Sequence, residues 1–208
     1  MSQILVSGST AYDFVMDYKD EFQNHIKPES IHKISVVFLI DMLKKEYGWT
    51  GHNIAYNLAL LNSRPILLSA IGRDYVFSDI VKEKVDLRYI YQSNDLLSSS
   101  FYVTSDIKGS QIGAFYPGAM DQADISKVSG IQETISYATI SPNNPKAMLE
   151  QSRELFNKKI PFFFDLGQQI FIMQADQIRE LYELGNFLIL NDLNLIYLGK
   201  NFLSPLKK

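Results

Sequence analysis

Short apolar runs alternate with helix-periodic segments between Tyr137 and Leu190, and this alternation limits what the chain can become more than any other feature. Tyr137–Ile140, Ile160–Asp165 and Phe187–Leu190 read as three buried strands. After the first, Asn144-Pro145 supplies a helix start: an N-cap side chain followed by a ring already fixed near helical φ. Met148, Gln151, Ser152 and Leu155 then fall along one helical face. After the second strand, a helix from about Gln174 to Leu184 is expected, with Gly185 as its stop. Strands separated by helices in this way pair parallel, joined by right-handed crossovers.

The first half of the chain is consistent with the same sheet. Ile4-Leu5-Val6 reads as a buried strand with a turn at Gly8. Ala11–Asp17 is expected to extend it and to place Asp13 just past the sheet edge. Ligands of open α/β sheets bind in the crevice outside the carboxyl ends of the strands. Asp13 is therefore either a ligand-binding carboxylate or an ordinary turn residue. Residues 18 to 33 read as a loop or short helical turns, and Ile34–Leu43 as a strand. From Tyr47 to Asp74 the chain runs through a loop with Gly48 and Gly51, a short apolar helix to Leu61, a turn at Asn62–Pro65, and a buried strand closing on Gly72-Arg73-Asp74. A glycine loop entering a helix lets a ligand approach backbone N–H groups, and Asn53 either caps that helix or turns its amide to the ligand. Helical spacing recurs from Val76 to Val85, and Leu87–Tyr91 is expected to be a short strand. Ser98–Ser105 and Gln111–Tyr116, with turn chemistry at Asp106–Gly109, form a β-hairpin whose polar strands indicate a sheet with one wet face.

Composition removes several function classes. The 208 residues are 46% hydrophobic and 21% charged, with a net charge of −3, which is the balance of a globular chain. No basic stripe is present, which argues against nucleic acid as a partner. The absence of cysteine excludes a disulfide scaffold, a cysteine–zinc site and a thiol nucleophile. His25, His32 and His52 lack metal-ligand spacing. No Gly-x-Gly-x-x-Gly follows the first strand, and neither a Walker-A loop nor a Gly-x-Ser-x-Gly elbow occurs. The N-terminus has no signal-peptide pattern, and the longest apolar run, Val36–Ile40, is too short to span a bilayer. A cytoplasmic chain with no membrane partner is the expectation.

What remains is an ordered set of segments. Val6-Ser7-Gly8-Ser9 with Asp13, Gly48 to Leu61 through Gly72-Arg73-Asp74, Phe115-Tyr116-Pro117-Gly118-Ala119-Met120, Ser141-Pro142-Asn143-Asn144, Phe164-Asp165-Leu166-Gly167-Gln168-Gln169 and Leu190-Asn191-Asp192 together resemble the ribokinase, or PfkB-type carbohydrate kinase, family, especially its adenosine-kinase-like branch. The resemblance implies a doubly wound, mostly parallel α/β sheet with a small β-lid. Residues 1–208 would form one such domain, its C-terminal part absent, with lid elements near 12–45 and 98–117. It implies ATP- and Mg²⁺-dependent phosphoryl transfer to a hydroxymethyl group of a sugar or nucleoside. Asp13, Gly48, Gly51, Asn53 and Tyr116 would bind the substrate, and Asn191 and Asn194 would organise phosphate and metal without ligating a metal directly.

Three departures from the family pattern qualify that expectation. No Gly-Ala-Gly-Asp, the family's catalytic segment, occurs in these 208 residues, so no catalytic base is assigned. Trp49 and His52 stand where the family carries glycine. Asn194 replaces the glutamate of an Asn-x-x-Glu motif, and a neutral amide is a poorer partner for hydrated Mg²⁺. The expectation is thus a kinase by descent, truncated either naturally or as a fragment and inactive alone, the substitutions favouring decay. The alternative is a non-catalytic sugar- or nucleoside-binding or interaction protein, either self-associating or completed by a partner chain. Phe202, Leu203 and Leu206 would then cover the edge of Phe187–Leu190 or mark the partner surface.

Overall fold

The computed structural model describes residues 3–27, 32–33 and 35–201. In chain order the elements begin with β1 (Gln3–Ser7), β2 (Ala11–Asp17), β3 (Met42–Gly48), α1 (Thr50–Leu60), β4 (Ile66–Leu68), β5 (Ala70–Gly72), α2 (Asp79–Lys84) and β6 (Tyr91–Ser93). They continue with β7 (Ser99–Ser105), β8 (Gln111–Tyr116), β9 (Ile135–Ile140), α3 (Pro145–Asn157), β10 (Phe162–Asp165), α4 (Ala175–Leu184), β11 (Phe187–Ile189) and α5 (Asp192–Asn201).

The main sheet has five parallel strands in the order β11-β10-β9-β1-β4. One face is buried under α3 and α4; the other is covered by α1 and α2 at β1 and β4 and open at Tyr137, Phe187 and Ile189, so the covered strands are apolar runs rather than alternating ones. The pleat sends Leu5, Ile66 and Leu68 into a core shared with α3 and α4 residues such as Met148, Leu155 and Leu181. It sends Val6 and Leu67 into a second core with Ala55 and Ala59 of α1 and Val81 of α2. The expected helix at Asn144-Pro145 is α3. The Asn144 side chain accepts hydrogen bonds from the Lys146 and Ala147 N–H groups, and Met148, Gln151, Ser152 and Leu155 are all buried. Among the described residues no helix is long and apolar enough to cross a membrane.

A second sheet of four strands, β3-β2-β7-β8, stands apart from the first. Its β7–β8 pair is the antiparallel hairpin expected from the sequence, and β8 is exposed along its whole length. β2 pairs parallel with β7 and antiparallel with β3.

Several local expectations change. Ala11–Asp17 does not extend β1. The buried turn Gly8–Thr10 breaks away from the main sheet, and β2 belongs to the second one. The strand expected at Ile34–Leu43 is displaced. Ile34 lies outside the described residues, 35–40 have no regular structure, and the strand is Met42–Gly48. Five consecutive exposed positions, 43–47, left no alternation to read, because β3 is held by backbone pairing to β2. The segment from Ile66 divides into β4 and β5, which lie in different sheets, and the strand expected at Leu87–Tyr91 begins at Tyr91. Gly185 ends α4 at an ordinary φ of −78°. The reason for glycine there is steric, since a Cβ would meet the Phe164 ring at 2.3 Å. Phe202, Leu203 and Leu206 lie outside the described residues.

Candidate functional site

Register across the second sheet brings three separated residues into one row. Asp13 of β2 lies opposite Phe101 of β7, and Phe101 lies opposite Phe115 of β8. Directly opposed residues share a sheet face, and all three line a cavity of about 820 Å³. That volume is in the range of small-molecule sites, about 300–1,000 Å³. The facing wall comes from the carboxyl ends of the main sheet: Pro142 and Asn144 after β9 with Pro145 at the start of α3, then Asp165 at the end of β10 with Gly167, Gln168 and Gln169 after it. The cavity therefore occupies the crevice where open parallel sheets bind ligands, roofed by the second sheet.

The chemistry of the wall is mostly apolar, with a few acids. Asp13, Asp121 and Asp165 contribute carboxylates, and no lysine, arginine or histidine lines the cavity among the described residues. Burial pushes the Asp13 carboxyl above its usual range, and the hydrogen bond from the Trp49 indole pulls it back. Asp165 is raised likewise by burial, opposed by the Gly167 N–H that its Oδ1 accepts at 2.8 Å. Carboxylates held partly out of water at a cavity wall are strong acceptors for ligand hydroxyls.

The expected site residues fall into separate groups. Asp13 lines the cavity. Gly48 supports it from beneath: a Cβ at that position would come within 2.1 Å of Asp13 Oδ2, so the carboxylate fills the space that glycine leaves. Gly51 lets the start of α1 touch the end of β1 rather than meeting the cavity. Asn53 is not the N-cap, a position held by Trp49. It is exposed within α1, donates its N–H to the Trp49 carbonyl, and does not line the cavity. Tyr116 alternates to the opposite face of β8 from Phe115 and lies outside the cavity wall. Asn191 caps α5 by accepting the Asn194 N–H at 2.8 Å, while the buried Asn194 amide donates to the Gly167 carbonyl at 3.1 Å. This pair braces the loop after β10. Phe101, Phe115 and Asp121 line the wall without having been singled out in the sequence. The turn at Asp106–Gly109 marks the β7–β8 hairpin in the sequence, but that β2 lies beside β7 is a tertiary fact.

His52 belongs to the core behind this site. Its ring stacks on Tyr47 at 5.1 Å, and Nδ1 lies 3.1 Å from the Tyr75 hydroxyl. Burial lowers its pKa to about 4. The unfolded chain, with an ordinary histidine, then binds the proton more readily, so this contribution to stability is intact above about pH 6.5 and is lost as pH falls toward 4. The loss is about 1.4 kcal/mol per pH unit. Denaturant titrations should therefore show the parent chain losing about 2 kcal/mol more than His52→Gln between pH 6.5 and 4.5. Parallel pH profiles would contradict a buried neutral imidazole.

No family model matches the sequence. Solved structures do match. The nucleoside kinase of Burkholderia thailandensis in complex with inosine superposes with a TM-score of 0.81 and 28% identity, over 95% of this chain and 63% of that one. The nucleoside kinase of Methanocaldococcus jannaschii, an archaeal member of the ribokinase family, matches with a TM-score of 0.82 and 20% identity, over 96% and 64%. This is a ribokinase-like chain. Ribokinase from Cryptococcus neoformans in complex with ADP matches it with a TM-score of 0.72 and 18% identity, over 94% and 58%. The ribokinase-like chain thus spans somewhat less than two-thirds of the length of these structures.

Proposed function

We propose that this chain is the acceptor-binding part of a ribokinase-family phosphotransferase, taking a nucleoside or sugar in the cavity between the two sheets, and that these residues by themselves do not transfer phosphate. The observation that carries this reading is the Asp13–Phe101–Phe115 row facing the carboxyl ends of β9 and β10 across the cavity. It puts a hydroxyl acceptor beside flat apolar surface, the two things a nucleoside offers to bind. The inosine held by the Burkholderia thailandensis enzyme supports the same class. The second sheet, with elements near 12–45 and 98–117, serves as the lid that keeps water from the acceptor.

The residues present do not fit a triphosphate with its Mg²⁺. Phosphoryl transfer depends on cations, backbone donors and a positioned base around the transferring group. The cavity wall instead carries three carboxylates and no cation among the described residues. The Asn194 amide is buried and bound to Gly167, and no Gly-Ala-Gly-Asp occurs. No catalytic step is therefore assigned to this chain, and a binding role is favoured. Calorimetric titration with inosine should give measurable binding heat. Incubation with ATP, Mg²⁺ and inosine, adenosine or ribose should release no ADP above the acceptor-free background. Absence of heat up to millimolar ligand would refute the binding role; acceptor-dependent ADP release would refute the non-catalytic one.

A further inference from the structure

Trp49 adopts φ 72° and ψ 163°, a backbone region in effect reserved for glycine. Its indole N–H donates to Asp13 Oδ1 at 3.1 Å, and its ring stacks on Phe115 with centroids 4.4 Å apart and planes 22° apart. Oδ2 of the same carboxylate lies over Gly48. Asp13 therefore already has a donor of its own. A ligand hydroxyl arriving at Oδ1 exchanges one hydrogen bond for another instead of adding one.

We infer that Trp49 is an internal competitor for Asp13, lowering the affinity of every ligand whose hydroxyl must reach Oδ1 and leaving the base to supply most of a nucleoside's affinity. A free pentose draws its affinity almost wholly from hydroxyl contacts, and Trp49 offsets the charge-assisted one. A nucleoside brings in addition a flat base that can lie against Phe101, Phe115, Met120 and Ile172, all part of the wall. The wall's acids, unbalanced by any cation there among the described residues, disfavour ligands already phosphorylated. The inference rests on the reading of the cavity as a nucleoside or sugar site.

Trp49→Phe keeps a ring against Phe115 and deletes only the competing N–H. Calorimetric titrations of both proteins with inosine, 2′,3′-dideoxyinosine and ribose separate the possibilities. The variant should bind inosine and ribose about tenfold more tightly than the parent, with dideoxyinosine unchanged, and the parent should prefer inosine to ribose. If parent and variant bind inosine equally while Asp13→Asn still weakens binding, the role of Trp49 is refuted and the site reading stands. If neither protein binds any of the three, the site reading fails and this inference fails with it. A second measurement needs no variant, because Trp49 is the one tryptophan of the chain. Its emission should shift as inosine displaces the indole from the carboxylate, and binding heat without such a shift would refute the inference even if Trp49→Phe does not fold.

Discussion

Gly51→Val is expected to destabilise the protein by about 4 kcal/mol or more, a large part of the roughly 5–15 kcal/mol that holds a domain together. An ideal Cβ at position 51 would lie 2.6 Å from both the carbonyl carbon and oxygen of Gly8 and 2.8 Å from the Ser9 carbonyl oxygen. These are backbone atoms of the turn just after β1, so no side chain can swing aside. The same Ser9 carbonyl accepts the Gly51 N–H at 2.9 Å and the His52 N–H at 3.4 Å, which satisfies donors at the start of α1 that have no partner within the helix. Moving α1 away to admit a side chain costs about 1–3 kcal/mol in overpacking and about 1–3 kcal/mol for each buried hydrogen bond lost. The gain from removing a glycine inside a helix is less than about 1 kcal/mol, so the clash wins. The denaturation midpoint should fall sharply for valine and less for alanine. An unchanged midpoint would contradict this close approach of strand and helix.

Asp13→Ala is expected to weaken inosine binding about 10- to 100-fold while leaving the fold intact. A hydrogen bond from a ligand hydroxyl to a carboxylate contributes about 1.5–3 kcal/mol, and each 1.4 kcal/mol is about tenfold in affinity. The carboxyl is half-buried and held above its ordinary pKa by desolvation. With a folded-state pKa above the unfolded one, its stabilising contribution belongs to the protonated form and is lost as pH rises through the folded pKa. At neutral pH the ionised group is thus a burden on folding. Removing it leaves the Trp49 N–H without its acceptor but also relieves that burden, and the two effects oppose each other. The measurement is a calorimetric titration beside a thermal melt. Unchanged affinity would remove Asp13 from the site, and loss of the melting transition would make it a structural residue instead.

Elements whose burial is written into their own residues were legible. The strands at β1, β9 and β10 carry Leu5, Ala138, Ile140, Phe162 and Phe164 into the buried core, and α3 announces itself through Asn144, Pro145 and a four-residue buried face. The β7–β8 hairpin was legible from its turn chemistry. β3 was not, because Leu43–Tyr47 is exposed and its strand conformation depends on pairing with β2. Nothing in Ala11–Asp17 says which sheet β2 joins, so its residues alone do not separate it from β1. The resemblance of Asn191 and Asn194 to a phosphate-organising motif does not reveal that they begin a helix, α5. In the structure those side chains cap the helix and brace Gly167.

By itself the sequence determined the class of fold, since alternating apolar strands and capped helices bury their surfaces economically only as a parallel sheet covered on both faces. It also marked Asp13 as a candidate through its place after the first strand. Only the tertiary structure decided what Asp13 stands beside. Pairing of β2 with β7 and of β7 with β8 sets Asp13, Phe101 and Phe115 in one row across up to 102 sequence positions, and the turn before α1 lays Trp49 over that row. Register is set by the face each strand buries and by the turns that join strands, and β2 and β7, which are far apart in the chain, have no turn between them to announce their pairing.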